Sequence, residues 1–321
     1  MKKLLPICKM KIVITGASGF VGSHMAQYFK SCGHEVIELK RSSLLSTLTS
    51  SYSIEILNYF RSIFNDVQVV IHCAGIAHRL ADDRDASWSE YSSVNVDATL
   101  RLADLAAQNN VKRFIFLSSV KVCGENTNNS DPFSEVDPPN PSSHYALSKH
   151  LAEIGLIKLA KLTSMEFVIV RPPLIYGRGV KANFKNLINW IKDGKPLPFA
   201  CLNANKRSFI SIENLNDFIG KCTWHPNAAN QIFFVSDGNA ISTAELMKKI
   251  GFALGKRTRL LPFPVSALAL VSMLFSKYDL FSTLSSSLEV NISKSRDLMS
   301  WEPPVNIDIG LKNTCANMDQ L

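Results

Sequence analysis

With 321 residues, 46% of them hydrophobic and 19% charged, the chain can bury a large core in one big domain or two closely joined ones, which excludes a disordered protein. The net charge of +8 is compatible with a nucleic acid, a membrane surface or a phosphorylated small molecule. No basic run is denser than Lys2-Lys3 or Lys248-Lys249 and no nucleic-acid motif occurs, so most cations are read as dispersed, with a few reserved for anionic ligands. Seven cysteines form no C-x-x-C pair and no metal-type spacing with histidine, which points to reduced thiols in the cytoplasm and to no metal site.

The opening MKKLLPICKM has too short an apolar part for a secretion signal, contains Pro6 and is followed by lysine, so it reads as a loose cytosolic extension. Short β-branched apolar runs then recur at 11–15, 35–39, 67–72, 113–118 and 166–171, with helical stretches at 19–30, 88–110 and 143–162. Continuous apolar strands alternating with helices predict a Rossmann-like α/β fold, a doubly wound parallel sheet covered on both faces. A further strand at 231–236 follows a proline-rich stretch around Lys195-Pro-Leu-Pro198. The expected division is a dinucleotide-binding domain of 1–175 plus about 205–236, and a smaller substrate lobe of about 176–204 and 237–321. The longest apolar run, 260–275, is broken by Pro262 and Pro264 and falls short of a bilayer span. It reads as a partly buried or surface helix.

The first strand runs into TGASGFVG, residues 15–22, and a helix. Gly16, Gly19 and Gly22 allow a tight turn and close approach to a pyrophosphate, and free N–H groups around Ser18, Phe20 and Val21 attract the anion. After the second strand come Lys40, Arg41 and Ser42, a basic set that suits the 2′-phosphate of NADP(H), where an acid would select NAD. A solvated basic turn is the plainer alternative.

Tyr145 and Lys149 lie one helical turn apart in PSSHYALSKH, so a helix puts both on one face, where an ammonium lowers the pKa of a phenol toward the range of proton transfer. Alone the spacing is weak; the context gives it weight. With the glycine loop, His72-Cys-Ala74-Gly75, Ser118-Ser119 and this pair, the chain resembles the extended short-chain dehydrogenase/reductase family, the NAD-dependent epimerase/dehydratases, over essentially its whole length. Arg171-Pro172-Pro-Leu-Ile-Tyr-Gly177 and the segment from Arg207 to Leu215 resemble the nucleotide-sugar branch.

The resemblance implies that Tyr145 exchanges a proton with the reacting oxygen, that Lys149 holds the nicotinamide ribose and lowers the Tyr145 pKa, and that Ser119 binds the same substrate oxygen. Ser118 falls to a supporting role, with a slip of one residue left open. It further implies cofactor contacts at Ala74, Gly75 and Pro172, sugar-nucleotide contacts at His78, Lys121, Asn183 and Arg207, and a homodimer. Asn95 matches a family asparagine that shapes the site, or is an ordinary helical one, and Arg207 is either a diphosphate ligand or a brace for its strand.

Dehydratases carry an Asp-Glu pair where this chain has Val120 and Lys121, which argues against water elimination. Finer likenesses around residues 118–122, 179–184 and 235–238 point to UDP-4-keto-6-deoxy-N-acetylhexosamine reductases, which make UDP-N-acetylquinovosamine-type sugars for O-antigen and capsule. The expected activity is thus NADPH-dependent 4-ketoreduction, with a UDP-hexose 4-epimerase holding NAD as the rival. A non-catalytic dinucleotide sensor is the rival of another class, disfavoured because Tyr145 and Lys149 are both present.

Overall fold

The computed structural model describes residues 9–40, 54–77, 87–128, 130–275 and 278–316. Arg41, Ser42 and His78 lie outside the described residues. The chain divides into two compact units, one of residues 1–122, 141–171 and 218–233 and the other of 123–140, 172–217 and 234–321.

The first unit holds strands β1 (Lys11–Thr15), β2 (Glu35–Leu39), β3 (Val69–His72), β4 (Arg113–Leu117) and β5 (Glu166–Arg171). The six-stranded sheet runs β2-β1-β3-β4-β5-β8, where β8 is Gln231–Phe234, and the pairings from β2 through β5 are parallel. Every residue of β3 and β4 is buried, as strands covered on both faces require. Helices α1 (Phe20–Ser31) and α2 (Ile54–Phe64) connect the first three strands. A long helical stretch then comprises α3 (Trp88–Tyr91), a π-helical segment Ser92–Asp97 and α4 (Ala98–Gln108). Helix α5 (His144–Leu162) starts at Ser143, whose hydroxyl accepts from the Ala146 N–H at 3.2 Å. Leu102 and Leu105 of α4, with Ala152 and Leu156 of α5, share one apolar core with Val13, Val70, Phe114 and Phe116 of the sheet.

Strand order reverses between β1 and β3, so the loops after these two strands open a crevice at the carboxyl edge of the sheet. At that crevice Gly16 has φ +70°, and a Cβ there would meet the Ala74 nitrogen at 2.7 Å.

In the second unit β6 (Leu174–Tyr176) pairs in parallel with β7 (Phe209–Ser211). The expected assignment of 205–236 to the sheet is therefore corrected: 205–217 belong with β6, and 218–233 accompany the large sheet. Residues 123–140 also leave the sheet unit, because Phe133 bridges to Val290 and the Thr127 N–H donates to the Ser287 carbonyl. The unit adds α6 (Ala182–Lys192), then α8 (Thr243–Ala253), α9 (Val265–Leu274), α10 (Tyr278–Ser285), α11 (Ser293–Met299) and α12 (Ile307–Cys315), while α7 (Ile212–Cys222) bridges the division at Phe218. Among the described residues no helix is long and apolar enough to cross a membrane, and no cluster of His, Cys, Asp or Glu has the form of a metal site.

Candidate active site

The glycine loop and α1 form one end of the site. The Gly19 N–H donates to the Gly16 carbonyl at 2.8 Å, and a Cβ on Gly22 would approach that carbonyl oxygen to 2.3 Å, so the helix starts hard against the turn. Gly19 caps α1 without a side-chain hydrogen bond, and no acid stands in its first turn, which leaves the dipole end at Phe20 and Val21 suited to an anion. Ser18 and Gly19 are exposed there. The residues thus fit a dinucleotide pyrophosphate, since glycine at 16 and 22 lets the turn pack against Ala74 and the start of α1 and leaves the helix end open.

Beyond β2, Lys40 is exposed. The acid inside the strand, Glu38, pairs with Lys30 at 2.5 Å.

The loop after β3 is held from below by a buried polar chain. Thr15 Oγ1 accepts from the Ala74 N–H at 3.2 Å and lies 2.8 Å from His72 Nδ1, and His72 Nε2 lies 2.9 Å from Thr99 Oγ1. Burial, followed by the nearby Lys149 charge, lowers the His72 pKa to about 3, so the ring is neutral. Its imidazole stacks on Phe116, with centroids 5.9 Å apart.

Asn95 sits in the π-helical segment and is buried. Its Oδ1 accepts from the Ile76 N–H at 2.8 Å, and its Nδ2 donates to the Ile76 carbonyl at 3.0 Å and to Ser148 Oγ at 2.9 Å. A Cβ on Gly75 would stand 3.1 Å from Asn95 Oδ1, a crowded approach that the carboxamide would have to yield to by a few tenths of an ångström, and 3.5 Å from Lys149 Nζ, an ordinary contact. π-Helical turns recur at functional sites because the extra residue re-aims a side chain. Here the one re-aimed is a brace between the β3 loop and α5.

On α5, Tyr145 and Lys149 fall on one face as their spacing requires. Ser119, at the end of β4, hydrogen-bonds the Tyr145 phenol. Ser118 instead donates to Glu153 Oε1 at 2.5 Å. Glu153 is itself clamped by Arg171, Nε to Oε1 at 3.0 Å and Nη2 to Oε2 at 2.6 Å, and both are buried. The geometry therefore separates the neighbouring serines: Ser119 faces the tyrosine and Ser118 belongs to the ion pair. Lys121 lies on the turn after Ser119, and its backbone N–H donates to Ser119 Oγ at 3.2 Å.

Lys149 Nζ donates to the Leu117 carbonyl at 2.7 Å and stands 4.3 Å over the Phe116 ring. Burial lowers its pKa to about 8, against the opposing pull of Cys73 and Glu153. Burial likewise raises the Tyr145 pKa to about 12, with the Ser119 hydrogen bond lowering it and Tyr91 raising it. The expectation of a depressed tyrosine is corrected for the protein alone: desolvation of the phenolate outweighs the favourable contacts, and Lys149 aims its ammonium at a carbonyl.

In the second unit, Pro172 follows β5, and Asn183 and Lys181 are exposed around the first turn of α6. Arg207 is buried, and its Nη1 donates to the Thr283 carbonyl at 2.6 Å and to the Ser286 carbonyl at 3.0 Å. Burial lowers its pKa to about 10, partly offset by Glu125. In this structure the guanidinium braces the end of α10 and the residue that follows it.

The sequence singled out Ser119, Tyr145, Lys149 and the glycine loop, which meet in the first unit, but missed Thr15, Thr99, Ser148 and Glu153. Only the fourfold spacing of Lys149 and Glu153 on α5 hinted at the last of these.

The profile of the NAD dependent epimerase/dehydratase family matches residues 12–235. A UDP-glucose 4-epimerase of Vibrio cholerae is 40% identical over 311 residues, covering 94% of each chain. Among solved structures, UDP-N-acetylglucosamine 4-epimerase from Bacillus cereus is similar with a TM-score of 0.77 at 19% identity, over 97% of this chain and 100% of that one. UDP-glucuronic acid 4-epimerase from Bacillus cereus, in complex with NAD, is similar with a TM-score of 0.74 at 21% identity, over 97% and 99% of the two chains. At these identities the structures speak for the fold, and the profile and the Vibrio relative carry the assignment: the chain belongs to the NAD dependent epimerase/dehydratase family.

Proposed function

We propose that the chain is a 4-epimerase of a UDP-linked hexose that keeps NAD bound between turnovers. The observation that carries this reading is the 40% identity, over 94% of both chains, with a UDP-glucose 4-epimerase. It moves the balance from the 4-ketoreductase expected from sequence to the rival considered beside it. The nicotinamide supplies a reversible hydride acceptor. Tyr145 takes the C4 hydroxyl proton during oxidation and returns one during reduction, and Ser119 orients that oxygen through its contact with the phenol. Lys149 holds the nicotinamide ribose, and Gly16, Ser18, Gly19, Phe20, Val21, Ala74, Gly75 and Pro172 hold the rest of the cofactor. Lys121, Asn183 and Arg207 serve the sugar nucleotide, Arg207 only on leaving the carbonyls of Thr283 and Ser286.

A second reading, NADPH-dependent 4-ketoreduction of a UDP-linked 6-deoxyhexosamine, is favoured by the basic end of β2. Lys40 is exposed there, and Glu38, the acid nearest the end of the strand, is paired with Lys30.

One purified sample separates them. The epimerase reading expects NAD in the denatured supernatant, and conversion of UDP-glucose or UDP-N-acetylglucosamine to its C4 epimer with nothing added. Stoichiometric NADPH consumption on UDP-4-keto-6-deoxy-N-acetylglucosamine, with no epimer formed, would overturn it in favour of the reductase.

A further inference from the structure

Helix α9, VSALALVSML, is apolar on every side, yet Leu268 alone among its residues is buried. Leu270 is 61% exposed, Met273 56%, Leu274 75% and Phe275, which caps the helix, 71%. A helix that is hydrophobic all round normally lies inside a protein or in lipid, and so large an exposed patch marks a surface with an occupant. Leu268 seats one face of the helix on the protein, and the rest, with Val265, Leu270, Val271, Met273 and Leu274, is the apolar surface left for an acyl phase. The polar side chain of the last turn is already satisfied, because the Ser272 hydroxyl donates to the Ala269 carbonyl at 2.7 Å.

The approach to the helix is basic. Lys256, Arg257 and Arg259 are exposed and, with Lys192, line an open cleft of about 580 Å³. The one acid lining it, Asp193, pairs with Lys195 at 3.0 Å. From Lys256 to Tyr278 the sequence contains no acid. Backbone hydrogen bonds fix the segment to the body of the unit, Leu197 N–H to the Arg259 carbonyl and Leu261 N–H to the Leu197 carbonyl, both at 2.8 Å. A cationic cleft is thus held rigidly at the root of a solvent-facing apolar helix.

We propose that α9 and the cleft of Lys192, Lys256, Arg257 and Arg259 dock the enzyme on an anionic lipid bilayer, the helix lying in the interface and the cleft receiving phosphate headgroups. The helix is too short to span, so the association is peripheral. The assignment is independent of which sugar nucleotide is the substrate.

The test is flotation of the full-length protein with vesicles of phosphatidylglycerol and phosphatidylethanolamine, and separately with phosphatidylcholine alone. The protein should float with the anionic vesicles, be released in part by high salt, and bind phosphatidylcholine at least about tenfold less. Leu270→Glu/Leu274→Glu should abolish flotation, and Arg257→Glu/Arg259→Glu should weaken it about tenfold or more, each with the parent's melting temperature because these side chains are exposed. No flotation with either vesicle overturns the proposal, as does equal flotation with both. If Leu270→Glu/Leu274→Glu instead converts an oligomer to a smaller species in light scattering and leaves flotation unchanged, the helix is a contact between copies of this chain and the lipid assignment fails.

Discussion

Asn95 donates from Nδ2 to the Ser148 hydroxyl at 2.9 Å, and Ser148 in turn donates to the Tyr145 carbonyl at 2.8 Å. The π-helical segment is thereby tied to the helix turn that separates Tyr145 from Lys149. The same carboxamide holds both backbone groups of Ile76. Asn95→Ala strips these bonds from buried partners and should lower the unfolding free energy by roughly 2–4 kcal/mol, read by urea denaturation. Turnover should fall as well, because the loop after β3 loses its register against Lys149. Asn95→Asp keeps an acceptor for the Ile76 N–H but sets a carboxylate oxygen against the Ile76 carbonyl, and should be at least as unstable as Asn95→Ala. Unaltered stability and kcat in Asn95→Ala would show the residue to be incidental.

Tyr145→Phe removes only the hydroxyl. Initial rates should drop by about 10²–10⁴-fold while cofactor content and melting temperature stay near the parent's. A variant with most of its kcat would transfer the proton chemistry to another group.

The pH profile follows from the direction of the shift. With the Tyr145 pKa raised to about 12, the phenol stays protonated through neutral pH, so its supply as an acid does not decline until strongly alkaline solution. As a base it is scarce, and the oxidative half-reaction should accelerate with pH without levelling below pH 9 in single-turnover measurements. An early plateau would show that bound ligands bring the pKa down.

His72 links stability to acid. Its folded pKa of about 3 lies below the ordinary value of 6.5, so between those values the unfolded chain binds the extra proton. Stability from this group is complete above pH 6.5 and is lost as pH falls toward 3. Between pH 7 and pH 5 the loss should be about 2 kcal/mol, measured by denaturant unfolding. His72→Gln should start less stable and show a shallower acid limb. An identical limb would assign acid sensitivity to other groups.

Glu153 and Arg171 are a buried pair whose single loss leaves an uncompensated charge. Glu153→Gln should destabilise by about 3–5 kcal/mol, whereas Glu153→Leu/Arg171→Met should restore much of that, because two charges then leave the interior together. Ser118 keeps a carbonyl acceptor in Glu153→Gln and loses its partner only in Glu153→Leu/Arg171→Met, so a rate defect confined to the double variant would report on the β4 end rather than on charge. Equal instability in the single and double variants would assign the loss to packing.

The sheet was legible because its strands are continuous β-branched runs; β1, β2 and β5 have the expected bounds, and β3, β4 and β8 are shorter at their polar ends. The glycine loop and the Tyr145/Lys149 helix were legible because backbone geometry dictates their residues. The π-helical turn at Asn95 was not, since one extra residue per turn leaves an apolar helix pattern nearly unchanged. The exchange of 123–140 and 205–217 into the second unit depends on bridges such as Phe133 to Val290, far apart in sequence, which no local pattern announces. Arg207 was readable as an arginine with work to do, but not as one turned toward Thr283 and Ser286.

The alternation of the two units along the chain has a consequence for how the protein is made. The chain passes from one unit to the other five times, at 122/123, 140/141, 171/172, 217/218 and 233/234. The six-stranded sheet lacks the whole of its last strand until residue 234 has left the ribosome, and the other unit waits for the final quarter of the polypeptide. Neither unit is a contiguous cassette, so a hybrid that grafts a foreign second unit onto this sheet needs several splice points rather than one. Exchange of the second unit by recombination at a single junction is thereby closed to this chain.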